Sequence, residues 1–301
     1  MTAINDNLEK MAKQLYDYWF VQFDFPDTNG KPYKSSGGAM VWNEKLKRKI
    51  PVNWEVKTLA EQIKLEDYKR VPLSKKERLK RPGIYPYYGA TEIMDYIDDF
   101  IFDGDYLLLA EDGSTSDSKG FPVVQYIWGK NWVNNHAHII TPKQRNYMLY
   151  WFFTLRSIPA KLIETGSIQK KISQENLLTY KTLVAPKFLL DEYSSIVIPL
   201  QERRKLCIEE INALTKQRDE LLPLLMNGQA SVNYHLSKWI ASVLCHNSHI
   251  KDNYNAINKE TYEQNFHPSV RQPHSFVLFK HTGNAFLVFL LQFKLFITMS
   301  H

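Results

Sequence analysis

Residues 193–226 read YSSIVIPLQERRKLCIEEINALTKQRDELLPLLM, and the spacing of their apolar side chains decides how the rest of the chain is organised. Ile196, Leu200, Arg203, Cys207, Ile211, Leu214, Arg218, Leu221 and Leu225 recur at alternating steps of three and four. Polar side chains fill the gaps, among them Glu202, Lys205, Glu209, Lys216 and Glu220. One narrow seam on an otherwise charged helix is the pattern of a helix that pairs with another helix. At 1.5 Å per residue the run makes a rod of roughly 50 Å. Asn227-Gly228 stands where a left-handed cap is expected. Pro199 removes a backbone hydrogen bond, so it is expected to kink the rod or mark its start, and Pro223 falls in the last turn.

Working outward, residues 3–20 carry a second seam of Ile4, Leu8, Met11, Leu15 and Tyr18, widened by Ala12, Tyr16 and Trp19. Two readings stand for the pair of seams. The helices pair with each other or with a second copy, or each caps the core of the unit between them. The seam positions for pairing are Leu8, Met11, Leu15, Cys207, Ile211, Leu214, Leu221 and Leu225.

Residues 26–53 are rich in Pro, Gly, Ser, Asp and Asn and read as a linker. Beyond it come short apolar runs. Phe100-Ile101-Phe102 and Tyr106 to Ala110 around Asp103-Gly104 predict a hairpin. Val123 to Trp128, Trp132-Val133 and Ala137 to Ile140 predict further strands. Thr141-Pro142 predicts a helix start, with Thr as N-cap and Pro in the first turn. The expected class is α+β: one mixed α/β domain at 54–190 between long amphipathic, coiled-coil-like helices at 1–25 and 191–229. A divergent tail, 230–301, holds seven of the nine histidines. Its apolar stretch Ala285–Met299 falls short of the roughly 20 residues a bilayer-spanning helix needs.

The 301 residues carry a net charge of +6, which permits nucleic-acid binding without demanding it. Two cysteines, Cys207 and Cys245, form no disulfide framework, and no N-terminal signal is apparent, so the expected location is cytoplasmic. The cations concentrate at Lys69, Arg70, Lys75, Lys76, Arg78, Lys80 and Arg81, directly before the loop GIYPYYGAT at 83–91. Phosphate contacts need Lys and Arg, and base contacts need planar or hydrogen-bonding groups. Lys69, Arg70, Lys75, Lys76 and Arg78 are therefore expected at phosphates. Tyr87, Tyr88, Thr91, Asn134, Asn135, His136, Ser167, Gln169 and the neighbouring Lys170 are expected at the DNA in loops. A solvated charged face is the plainer reading of the same run.

Catalytic motifs are scarce. There is no Gly-rich nucleotide loop, Gly-x-Ser-x-Gly elbow, Cys-x-x-Cys pair or Asn-Pro-Pro-aromatic sequence. Asp27, Glu55 and Lys57 mimic the set that holds magnesium beside a phosphate in a nuclease. His136 and His138 are expected to share no metal: His136 reads as a polar-loop residue that contacts DNA, and His138 as a core histidine with its hydrogen bonds satisfied.

Five stretches together resemble the specificity subunit of type I restriction–modification systems: LEKMAKQLYDYWFVQFDFP at 8–26, GKPYKSSGG at 30–38, YPYYGA at 85–90, WVNNHAH at 132–138 and RDELLPLLMNGQ at 218–229. The resemblance implies a target-recognition domain that reads double-stranded DNA, and helices that act as a ruler and a dock for modification (methyltransferase) subunits. It further implies a restriction (translocase–endonuclease) partner, with S-adenosylmethionine, ATP and magnesium belonging to the partners and none to this chain. A full subunit of that family has two such domains, so this chain is expected to be a half subunit, pairing with itself or another half. The tail after about 232 does not share the resemblance, which leaves open an inactive, truncated interaction protein.

Overall fold

A computed structural model describes residues 2–166 and 170–227. The chain divides into a unit Thr2–Ile208 and a second that begins at Glu209. Ser167, Gln169, Gly228, Cys245 and the whole tail 230–301 lie outside the described residues.

Helix α1 (Thr2–Tyr16) runs into a short π-helix, Asp17–Val21. Its buried side chains are Ala12, Tyr16, Trp19 and Phe20, while Ile4, Met11 and Tyr18 of the predicted seam are exposed and Leu8 and Leu15 are half-buried. The inward face is thus the aromatic one. The stretch 26–53 is more than a linker. It folds as an antiparallel hairpin, β1 (Met40–Asn43) and β2 (Arg48–Pro51), that buries Ile50 and packs Met40 and Leu46 on the core. Tyr33 stacks on Phe25 at 4.6 Å.

Strand β3 (Glu55–Thr58) passes through α2 (Leu59–Gln62), opened by a Thr58/Glu61 capping box, into β4 (Ile63–Leu65). A second box, Ser74/Glu77, opens the basic single turn α3 (Lys75–Arg78). Then come β5 (Pro82–Tyr88), β6 (Ile93–Ile97), β7 (Phe102–Asp103), β8 (Tyr106–Ala110), β9 (Val124–Ile127), β10 (Lys130–Val133) and β11 (Ala137–Pro142). They build two four-stranded sheets, ordered β6-β5-β10-β7 and β4-β11-β8-β9. The predicted hairpin at 100–110 does not form. Phe102 pairs with Asn131, and β8 pairs with β9 and β11, so the two runs belong to different sheets. Gly104, at φ +122°, turns the chain between them. At the start of β5 the register shifts, and a Cβ on Gly83 would lie 2.3 Å from the Ile97 backbone, so only glycine fits.

Thr141 and Pro142 end β11, paired with Lys64 and Ile63, and do not start a helix. Helix α4 (Met148–Ser157) follows a 3-10 turn and is buried from Met148 to Leu155. Being apolar all round, it offers no periodic signal. Strands β12 (Glu164–Thr165) and β13 (Lys171–Ile172) pair with each other. α5 (Gln174–Thr179) is capped by the Ser173 hydroxyl, and β14 (Lys181–Val184) pairs with β3.

The last element, α6 (Lys187–Met226), is one helix of 40 residues, so it starts well before Pro199. Up to Ile208 its buried face is Leu189, Leu190, Tyr193, Ser194, Val197, Gln201 and Cys207. Ile196 and Arg203 of the predicted seam are exposed. Further along, Ile211, Leu214 and Leu221 are half-buried and Leu225 is exposed. Tyr193 donates its hydroxyl to the Ala12 carbonyl at 3.1 Å, and Arg204 meets Glu9 at 2.6 Å. Tyr16, Trp19 and Phe20 surround the Tyr193 ring at 5.0–6.4 Å. Inside the chain, therefore, α1 and the start of α6 pair with each other and cap the core of α4 at once. Among the described residues no helix is long and apolar enough to cross a membrane.

Candidate nucleic-acid interface

The basic run divides by residue type. Lys75 and Lys76 stand exposed on α3 with no carboxylate partner among the described residues. Lys69 is also at the surface, paired with Glu66 at 2.6 Å. The two arginines expected at phosphates point inward instead. Arg78 lies over the Tyr87 ring at 4.9 Å and donates to the Leu73 carbonyl at 2.8 Å. Arg70 donates to Glu111 at 2.7 Å and to the carbonyls of Ala137 and Asn135. The planar guanidinium fork satisfies several acceptors at once, whereas an ammonium is held more cheaply in water. Neutralising Lys75 and Lys76 to Gln should lower the slope of log affinity against log salt by about 0.9 per lysine on duplex DNA. A salt titration with an unchanged slope would leave the run as a solvated face.

Three loops leave the same end of the two sheets, and the described part of the β12–β13 hairpin packs beside them. Because β5 and β10 are parallel, with Trp132 beside Tyr87 and Val133 beside Tyr88, the loops 89–92 and 134–136 emerge together. The Asn134 amide donates to the Tyr88 carbonyl at 3.1 Å. In the other sheet Ala137 pairs with Ala110, and the Glu111 amide donates to the His136 carbonyl at 2.8 Å. The β12–β13 hairpin joins through the bridge Asp112–Lys171 and the Ile172 amide on the Glu111 carbonyl at 2.9 Å.

Of the predicted base-side residues, Thr91, Asn135, His136 and Lys170 are exposed at this end, Lys170 pairing with Glu164 at 3.1 Å. Tyr87 is not available there. It is 1% exposed, and its hydroxyl bonds with Leu73. Asn134 is also buried: its carbonyl oxygen accepts the His136 amide and shapes the loop. Tyr88 is half-buried, and burial together with nearby Tyr96 pushes its phenol up to about 12, so it remains a hydroxyl donor. His136 holds Asp112 through Nδ1 at 2.8 Å, which leaves Nε2 facing out.

Beneath the loops lies a charged clasp that sequence reasoning missed. Buried His138 approaches Asp67 through Nδ1 at 2.6 Å and the Ile172 carbonyl through Nε2 at 2.8 Å. A carbonyl only accepts, and so does an ionised carboxylate, so both ring nitrogens donate and the ring is an imidazolium. Burial alone would lower its pKa. Asp67, the Ile172 carbonyl and Glu111 outweigh that and raise it. Asp67 also accepts from the Ile139 amide and from Gln174. Burial pushes Asp67 and Glu111 up, but their cationic and hydrogen-bonding partners hold both below the usual carboxylate range. Asp67, Glu111 and His138 converge closely enough to hold a metal ion, yet Arg70 and Lys171 already supply the positive charge there.

The nuclease-like set does not assemble as an extra centre. Asp27 accepts the amides of Asn29 and Lys31 within its own turn, and Glu55 pairs with Lys57 on β3. No grouping of ligand-type side chains among the described residues includes Asp27 or Glu55.

Residues 51–186 match the family described as the type I restriction modification DNA specificity domain. A protein of Haemophilus influenzae, named as a type I restriction enzyme specificity subunit, is 37% identical over 113 residues, covering 37% of this chain and 28% of that one. The MjaIX specificity subunit of Methanocaldococcus jannaschii is 26% identical over 247 residues, covering 76% of this chain and 54% of that one. The chain thus spans about half, or less, of the length of these relatives. The solved type I S subunit from M. genitalium is similar at 18% identity and a TM-score of 0.45, over 72% of this chain and 55% of that one.

Proposed function

We propose, on the premise that residues 51–186 are a type I restriction modification DNA specificity domain, that this chain reads a short DNA sequence and directs separate enzyme subunits to it. The observation that carries the proposal is the gathering of three loops at one end of two sheets, with Asn135, His136 and Thr91 outward. Exposed Lys75 and Lys76 supply phosphate contacts, and the loops supply base contacts. In this reading the chain has no catalytic group of its own. S-adenosylmethionine, ATP and magnesium belong to modification and restriction partners, and the complex works on DNA in the cytoplasm. The test is selection of duplexes from a random pool by the purified chain, with methylated motifs mapped in cells with and without the gene. Recovery of no motif in either would overturn it.

The same proposal includes pairing of two recognition domains. Ile4 and Met11 on α1 and Tyr18 on the π-helix that follows are exposed, and Ile211, Leu214, Leu221 and Leu225 recur along α6. A two-fold arrangement of two copies would cover both seams and read an inverted repeat. Ile211→Asp with Leu214→Asp should place charges in that seam and convert a dimer to a monomer in light scattering, leaving the recognition domain folded. A wild-type chain that is already monomeric would remove the self-pairing part of the proposal.

A further inference from the structure

A groove outside the loop cluster has a composition that this DNA-reading role does not use. One part, about 300 Å³, lies between α1, α4 and the β1–β2 hairpin and is lined by Tyr16, Arg48, Trp54, Tyr150, Lys181 and others. A second part, about 570 Å³, is lined by Lys45, Asn176, Thr179, Tyr180 and Lys181. Leu46, Tyr180 and Lys181 belong to both, so the two are continuous. No aspartate or glutamate lines either part. Lys45, Arg48 and Lys181 are exposed and make no ion pair among the described residues.

The backbone that carries Lys45 and Arg48 is fixed. The hairpin is anchored by buried Ile50, and its tip is fixed by Asn43, whose side-chain oxygen takes the amides of Lys45 and Leu46 at 3.0 Å. Arg48 lies over the Phe23 ring at 5.4 Å. The hydroxyls of Thr154, Ser157 and Thr179 already donate to helix carbonyls. Three cations therefore remain as free donors above a floor of aromatic rings.

Three exposed cations along one groove that no aspartate or glutamate lines match the charge of a phosphoryl group. We propose that this groove is a phosphate-binding site, separate from the base-reading loops, formed by Lys45, Arg48 and Lys181. Its ligand carries a phosphate either on a free nucleotide, whose ring the aromatic floor would accept, or in the backbone of DNA lying across the hairpin. The proposal does not depend on the DNA-reading role, since it shares no residue with that loop cluster.

The experiment uses the full chain and two probes, adenosine diphosphate and a random-sequence 20-base-pair duplex, read by calorimetry with inorganic pyrophosphate as competitor. Arg48→Gln and Lys181→Gln should each weaken adenosine diphosphate or duplex binding by roughly tenfold. Lys75→Gln with Lys76→Gln should leave adenosine diphosphate binding unchanged. Binding of the nucleotide that the duplex does not displace assigns the site to a free nucleotide; loss of duplex affinity alone assigns it to the DNA backbone. Arg48→Lys and Lys181→Arg keep the charge and should retain binding, which separates a lost ligand contact from a misfolded hairpin. The idea is overturned if neither probe is weakened by the two substitutions, or if the α3 pair weakens both probes to the same extent.

Discussion

Arg70→Met is expected to destabilise the Thr2–Ile208 unit by about 3–5 kcal/mol, the cost of removing one partner from a buried charge network. The Arg70 side chain is 13% exposed and holds Glu111, Asp67 and the carbonyls of Asn135, in the loop, and Ala137, at the start of β11. Methionine replaces its volume and none of its bonds. Urea unfolding measures the loss, and Lys69→Met, at a pair whose lysine is 41% exposed, is the control expected to cost no more than about 1 kcal/mol. An Arg70→Met midpoint equal to the control's would mean that the clasp adds nothing. The network also sets a pH profile. His138 has its folded pKa raised, so its contribution is fully present below the unfolded value near 6.5 and is lost as pH rises through the folded pKa. Asp67 and Glu111 have theirs lowered, so their contributions are present above about pH 4 and are lost as pH falls through their folded values. Wild type should thus lose stability on both flanks, and His138→Gln should flatten the alkaline one.

Replacing Asn135 and His136 together with alanine should reduce discrimination between the selected duplex and a scrambled one by about 1–3 kcal/mol per lost base contact. Both side chains are exposed on a loop whose backbone is pinned from below by Arg70, Asn134 and Glu111. With Nδ1 of His136 engaged by Asp112, Nε2 is the ring nitrogen left for a base edge. Competition binding at fixed salt reads the result. Discrimination should fall while affinity for scrambled DNA stays, because Lys75 and Lys76 remain. Equal weakening on every sequence would move His136 and Asn135 from base contacts to general ones.

Local pattern was enough for a large share of the architecture. A three–four repeat makes 193–226 helical whichever partner covers it, because 3.6 residues per turn is a property of the backbone itself. The apolar runs Tyr106–Ala110 and Ala137–Ile140 announce buried strands in the same way, and His138 is the core histidine with satisfied hydrogen bonds that was expected, while His136 is exposed in the turn before the strand. The helical repeat said less about direction. On α1 the core took the aromatic face, Tyr16, Trp19 and Phe20, and left Ile4 and Met11 outside, since the rings fill the space around Tyr193 and α4. Partnership between distant segments was beyond the sequence. Phe102 joined β10 instead of closing a hairpin, and Asp67, Arg70, Glu111 and His138 met across more than seventy positions. The division of the basic run followed from that meeting. A guanidinium goes inward only where the fold supplies enough acceptors to replace water, and those acceptors at Arg70 come from segments far along the chain. Residue types and helical spacing are local and were therefore legible, whereas burial and charge pairing belong to the assembled core.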